Sequence, residues 1–390
     1  MPPLFPAAEY DDRLRRTRER MADAGLDAVV VTDPANMNYL TGYDGWSFYT
    51  PQGVLVALEG HVVLFTREMD ANGARLTTSL PDDDILGFPE ELVQRPDRHP
   101  MEWVAERLRE RGLARGRVGL ELDSYYFSPR GYLALRDGLA GTDLVDANEL
   151  VNWVRAVKSP AEIEMMTAAA RIMERVMAVA VEAVEPGVRQ CDAVARILDA
   201  QARGTEDAGG EYTAVVPMLP TGIGTSTPHL TWSDEPFRRG EATVLELAAC
   251  HGRYHCPMAR TVFLGEPPRR LADAAEVVAE GLATALAAVA PGVTCERVEA
   301  AWREVIARHG LRKASRIGYS VGLGYPPDWG EHTMSLRPGD ITPLGAGMTF
   351  HMILGLWMDD WGFELSETFR VTPTGAECLC SFPRRLFVKA

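Results

Sequence analysis

The chain has little that would place it in a membrane, in an oxidising compartment or on nucleic acid. No apolar run approaches the roughly 20 residues needed to cross a bilayer, so no membrane partner is expected. The opening residues, MPPLFPAAEYDDRLRRTRER, lack the basic stretch followed by an apolar run that marks a secretory signal. Cysteine is scarce and scattered (Cys191, Cys250, Cys256, Cys295, Cys378 and Cys380), with no CxxC pair of the kind that holds zinc. Free thiols in a reducing cytoplasm are the expectation. Basic residues are the minority, 40 Lys and Arg against 55 Asp and Glu, for a net charge of −15. Phosphate binding needs the opposite sign, so nucleic acid is not an expected partner. An acidic balance suits solubility and would equally suit a cationic substrate.

What is present is an ordinary globular composition, 46% hydrophobic and 24% charged over 390 residues. That length exceeds a typical single core and predicts two domains. Residues 1–150 alternate helix-like and strand-like segments, which predicts a small α/β domain. Tyr10 to Ala24 is amphipathic, Leu26 to Val31 is β-branched, and Gly53 to Leu58 with His61 to Phe65 reads as a hairpin. Val118 to Leu122 is a further short strand. Near Lys158-Ser159-Pro160 a proline opens a long helix. From there, over 158–390, long helices precede antiparallel-looking strands, which makes the whole an α+β chain.

The second domain carries a repeated punctuation. One alanine-rich helix ends in Glu185-Pro186-Gly187-Val188 and another in Ala290-Pro291-Gly292-Val293. An amphipathic helix follows each (191–204, then 295–309), and strands follow that. Two similar half-units would explain the pattern; so would Pro-Gly acting only as a helix stop.

Several stretches resemble the creatinase, aminopeptidase P and prolidase (pita-bread) family. LVNWVRAVKSPAEIEMMTAAARIM (150–173) is similar to the segment joining that family's two domains. VLELAACHGRYHCPMARTVFLG (244–265) is similar to its strand pair with two metal-binding aspartates. RIGYSVGLGYPPDWGEH (316–332) stands at its histidine loop, and GAGMTFHMILGLW and FELSETFRVTPTG stand at its two glutamate-bearing strands. The resemblance implies a creatinase-like N-terminal domain followed by a pita-bread catalytic domain. It also implies a homodimer in which a first-domain loop reaches the partner's site.

The metal ligands do not carry over. Where the family has two aspartates, a histidine and two glutamates, this chain has Glu246, Pro257, Tyr319, Ile353 and Ser366, with Glu367 beside the last. Proline and isoleucine offer no ligand, and one carboxylate cannot hold two hard divalent ions. No metal or other cofactor is therefore expected. Creatinase is a branch that hydrolyses its substrate on this scaffold without metal. Further matches, including NYLTGYDGWSFY (38–49), PMLPTG (217–222), PHLTW (228–232), YPPDWGE (325–331) and FPRRLFVK (382–389), resemble a branch that hydrolyses a cyclic amidine. The implied partner is a small zwitterion with a delocalised cation and a carboxylate. A linear guanidino substrate and a non-catalytic binding role are the rival readings.

Such a reaction needs an anion near the cation, a base or nucleophile, and a proton shuttle. Glu246 sits in an otherwise apolar strand, where a carboxylate is costly unless paired, and it could attack the amidinium carbon or activate water. The plain alternative is a glutamate on the solvent side of an edge strand. By the resemblance, His229 takes the place of creatinase's general base and acid, a role its ordinary titration near neutrality suits. His251, His255, His332 and His351 rank behind it. Trp46, Phe48, Tyr325 and Trp329 are candidates to hold a flat cation against aromatic faces. Asp328, Glu331 and Glu367 are nearby carboxylates that could bind the cation. Arg260 is a candidate for the substrate carboxylate or for a structural ion pair.

Overall fold

The computed structural model describes residues 3–390, which divide into two compact units at Arg155/Ala156. In the first, β1 (Ala28–Val31), β2 (Gly53–Ala57), β3 (Val62–Arg67), β4 (Ile85–Phe88), β5 (Arg117–Leu120) and β6 (Asp143–Asp146) form one mixed sheet in the order β4-β3-β2-β1-β5-β6. Alternate side chains of a strand leave on opposite faces, and here both faces are covered. Val29 and Val31 enter one apolar core while Ala28 and Val30 enter another. That double burial explains why the central strand reads as an unbroken β-branched run. The expected hairpin is β2–β3, paired antiparallel from Gly53 opposite Phe65.

The second unit opens on a helix over Pro160–Ala183. Ser159 accepts the Glu162 N–H while the Glu162 carboxylate accepts the Ser159 N–H, so the start is fixed by a reciprocal cap. Its strands are β7 (Ala242–His251), β8 (Tyr254–Leu264), β9 (Gly318–Tyr325), β10 (Asp328–Ser335), β11 (Thr349–Trp357), β12 (Gly362–Thr372), β13 (Gly375–Cys378) and β14 (Phe387–Lys389). They form one sheet, in which β11 pairs with both β9 and β12. Leu245, Leu247 and Ala249 of β7, with Cys256, Met258 and Val262 of β8, pack on the helices Pro160–Ala183 and Gln190–Arg203. The intervening residues, Glu246 and Ala248 with Pro257, Ala259 and Thr261, therefore face the other way.

The two Pro-Gly-Val turns make the same bonds. Gly187 N–H donates to the Phe237 carbonyl and Phe237 N–H to Val188; Gly292 N–H donates to Leu344 and Leu344 N–H to Val293. Both glycines are left-handed, with φ of 87° and 85°. A helix stop alone would not reproduce the partner segment as well, so the half-units are structurally repeated. A Cβ at either glycine would meet nothing within 4 Å, so only the backbone opposes substitution. Gly187→Ala and Gly292→Ala are each expected to cost about 1 kcal/mol in urea denaturation, and about 2 kcal/mol together. A penalty at one turn alone would contradict their equivalence.

Candidate active site

The face of the second sheet opposite the helices gathers the chemistry. Register places Glu246 across from Ala259, Tyr319 across from His351, and Glu364 across from Gly355. Ser366 follows Glu364 by two residues and shares its face. Strand β8 joins the halves: the Ala259 N–H donates to Ser366 Oγ at 2.6 Å, and Thr261 Oγ exchanges two 2.9 Å bonds with the Glu364 backbone. The far edge of β7 is covered by residues of PMLPTG, since Met218 and Glu246 exchange backbone bonds at 3.1 Å. Glu246 thus lies on an interior strand and is buried, not on a solvent-facing edge.

Glu246 and Glu364 are both buried, and they repel each other. Burial, then the neighbouring Glu364, raises the Glu246 pKa well above the carboxylate range; Lys313 pulls the other way. Burial raises Glu364 to about 7, again opposed by Lys313. Lys313 itself is pushed down to about 8 by burial, with both carboxylates resisting. Burial and mutual repulsion therefore favour a protonated carboxyl in this pair near neutrality, against the pull of Lys313. Glu364 Oε1 has no hydrogen-bond partner among the described residues.

Beside this pair runs a chain of buried hydrogen bonds. Trp329 Nε1–H donates to the Tyr319 hydroxyl at 2.8 Å. That hydroxyl meets His351 Nδ1 at 3.0 Å, and His351 Nε2 meets Ser366 Oγ at 2.7 Å. Burial, then Arg316, lowers His351 to about 3, so the ring is neutral, with one N–H and one lone pair. One hydroxyl must donate to the ring and the other accept from it. Each hydroxyl also accepts from an N–H. One hydroxyl proton, at Tyr319 or at Ser366, is left for another acceptor. Burial and then Glu246 raise the Tyr319 pKa, which keeps that phenol protonated.

The expected site residues separate into groups. Glu246 and Trp329 belong to this face, and Asp328 adjoins it. Burial works against the Asp328 charge, but bonds from His332 and the Gly330 N–H hold its pKa below the usual range. Tyr325 is buried with the Arg253 guanidinium 5.4 Å from its ring. Glu331 and Glu367 are committed elsewhere. Glu331 is fully buried against Lys158 at 2.6 Å, and Glu367 against Arg260 at 2.6 Å, with Arg384 at 3.1 Å. Arg260 also donates to the carbonyls of Ser366, Phe382 and Pro383, so it takes the structural reading. Glu367 stands one residue from Ser366, and in a strand that puts it on the opposite face.

His229 lies exposed with φ of 68°, four residues beyond Thr225, whose hydroxyl accepts the Gly362 N–H of β12. No described bond ties His229 to Glu246. His255 serves as a strut, accepting the Ala214 N–H at 2.9 Å and facing the Arg253 carbonyl at 3.0 Å. In the first unit, Trp46 is half-buried and packs edge-on to exposed Phe48 with ring centroids 5.6 Å apart. Sequence reasoning missed Glu364 and Lys313 and ranked His351 too low. Glu364 carried little signal, since its strand, GFELSETFRVT, also holds a second glutamate, a serine and an arginine.

The residues do not fit a pair of divalent ions. Pro257 and Ile353 present no donor, and the Tyr319 and Ser366 hydroxyls are engaged with a neutral histidine. Among the described residues, no group of three or more His, Cys, Asp or Glu side chains is arranged to hold a metal.

The raised Glu364 pKa has a definite sign. Folding favours its protonated form, so its contribution is intact below pH 4.5 and is lost as pH rises through about 7. Relative to the parent, Glu364→Gln is expected to gain on the order of 3 kcal/mol between pH 5 and pH 8 in urea denaturation; a pH-independent difference would contradict the pairing. Glu331→Ala is expected to lose about 3–5 kcal/mol by stranding Lys158, with Lys158→Met restoring much of it in the double variant. Full stability in the single variant would show that the ion pair carries no load.

Residues 13–157 match the Creatinase/Prolidase N-terminal domain, and residues 164–373 match Metallopeptidase family M24. The chain is 46% identical to an ectoine hydrolase from Halomonas elongata, over 99% of this chain and 98% of that protein. It is 26% identical to a creatinase from a Bacillus species, over 98% and 92%. The crystal structure of a dipeptidase from Mycobacterium ulcerans superposes with a TM-score of 0.80 at 24% identity, covering 98% and 99%, and shares the fold. With a creatinase-type N-terminal domain ahead of a pita-bread domain that lacks a two-metal ligand set, this chain belongs to the M24 metallopeptidase family.

Proposed function

We propose that the chain is a hydrolase that opens the cyclic amidine ring of ectoine to an N-acetyl-diaminobutyrate, without a metal ion. The observation that carries this reading is the buried Glu246–Glu364 pair on a face where family ligand positions hold Pro257 and Ile353. A peptide carbonyl needs an external cation to polarise it; an amidinium brings its own charge. The 46% identical relative named for ectoine hydrolysis supports the substrate.

In this reading the amidinium lies against Glu246 and Glu364 and displaces the proton they share. Glu246 then takes a proton from water as the water oxygen bonds to the carbon between the two nitrogens; alternatively the carboxylate attacks that carbon itself, and water afterwards cleaves the C–O bond so formed and restores the free carboxylate. One ring C–N bond breaks, its nitrogen gains a proton, and an amide and an amine remain. His229 is the proposed proton carrier, for which its exposed loop requires a closing movement. The spare hydroxyl proton at Tyr319 or Ser366 offers a fixed donor to developing charge. Trp329, and Trp46 and Phe48 from the partner subunit of a homodimer, would wall in the flat cation. Among the described residues no helix is long and apolar enough to cross a membrane, and a cytoplasmic setting completes the proposal.

The test is ring opening of ectoine by chelator-treated protein, followed by proton NMR. Turnover is expected without added metal, is expected to fall at least a thousandfold in Glu246→Gln, and is expected to decline as pH drops below about 7. Turnover only after adding manganese or cobalt, or a fully active Glu246→Gln, would overturn it.

A further inference from the structure

The cation that acts on both buried carboxylates, Lys313, has an unfilled capacity. Lys313 lies just before β9, in the segment after the helix Cys295–Arg308. Its Nζ donates to the Gly355 carbonyl at 2.9 Å and rests 4.0 Å from the Trp357 ring centroid. Gly355 stands directly across from Glu364 in the β11–β12 pair, so the ammonium is fixed beside the buried carboxylates. Gly355 is needed there: a Cβ would come within 2.5 Å of the Trp357 ring that supports the lysine. Among the described residues, no carboxylate lies within 4.0 Å of Nζ. An ammonium has three N–H donors, and one is accounted for.

The lysine is also placed differently from the acids it serves. Glu246 and Glu364 are buried, whereas Lys313 is only partly covered. The other cation considered for an anion, Arg260, is fully buried and saturated by Glu367 and backbone carbonyls. The face therefore combines two buried carboxylates with a more accessible ammonium, a charge arrangement complementary to that of a zwitterion with a cationic ring and an exocyclic carboxylate.

We propose that Lys313 is the residue that binds the substrate's carboxylate and so selects a carboxylated cyclic amidine over the bare ring. This rests on the amidine reading of the site. The flat Trp357 face and the Gly355 carbonyl hold the ammonium in place, so little side-chain freedom is lost when the anion arrives. Discrimination then comes from one charge-assisted contact, with the ring held by Glu246 and Glu364 in either case.

The test compares ectoine with 2-methyl-1,4,5,6-tetrahydropyrimidine, the same ring without its carboxylate, on parent, Lys313→Met and Lys313→Arg proteins. Binding is read by calorimetry and turnover by NMR. Lys313→Met is expected to weaken ectoine binding about 10- to 100-fold more than it changes binding of the bare ring, since both rings feel the altered carboxylates equally, with Lys313→Arg recovering part of that difference. Equal weakening of both compounds, or of neither, overturns the assignment, and so does a parent protein that binds the bare ring as well as ectoine. If the parent binds ectoine selectively through Lys313 but does not open it, the assignment stands and the hydrolase reading falls. If ectoine turns over with Lys313→Met unimpaired, the reverse holds.

Discussion

Two carboxylates held out of water within reach of each other, with one lysine to balance them, are an expensive arrangement, and the rest of the second unit is organised so as to keep it. Glu246 is fixed on both sides, by β8 and by the backbone of Met218. Glu364 is fixed through its own backbone by Thr261. Neither carboxylate is neutralised by an arginine, although the chain has arginines to spend. Arg260 lies in the same strand as Ala259 yet points to the opposite face, where it is spent on Glu367. A buried like-charge pair of this kind stores unfavourable energy that a cationic ligand can release. On the proposed reading, the repulsion is a device for binding rather than a defect of packing.

The Trp329–Tyr319–His351–Ser366 chain gives the pair a stable surrounding. Where relatives with metal would need anionic and imidazole ligands, this face carries hydroxyls locked to a neutral ring. Such groups add no charge, so the carboxylates are the dominant field in the site. They also present one spare proton whose position depends on the histidine tautomer. On the proposed reading, substituting hydroxyls for ligands changes the site from one that holds positive charge to one that awaits it.

Much of this was legible in the chain. The capped helix at Ser159-Pro160, the β2–β3 hairpin and the paired Pro-Gly-Val turns follow from local chemistry, which acts over a few residues and is written there directly. Glu246 was legible because a charge in an apolar strand is conspicuous. Glu364 was not, because its neighbours Ser366 and Glu367 drew attention, and a one-residue difference in a strand decides which face a side chain takes. Glu367 and Glu331 were read as site carboxylates, whereas their arginine and lysine partners lie 107 and 173 residues away in the chain. Lys313 sits in an irregular segment with no periodicity to place it. Long-range pairing, not propensity, separates the residues that line the site from those that support it.

The account turns on a carboxyl proton, held in the Glu246–Glu364 pair by burial, that leaves when the cation enters. Stopped-flow mixing of the protein with ectoine near pH 7, in weak buffer with a pH indicator, reads this directly. A burst of proton release faster than ring opening, abolished in Glu364→Gln, is the predicted result. A burst of proton uptake, or no proton exchange before the chemistry, would contradict it.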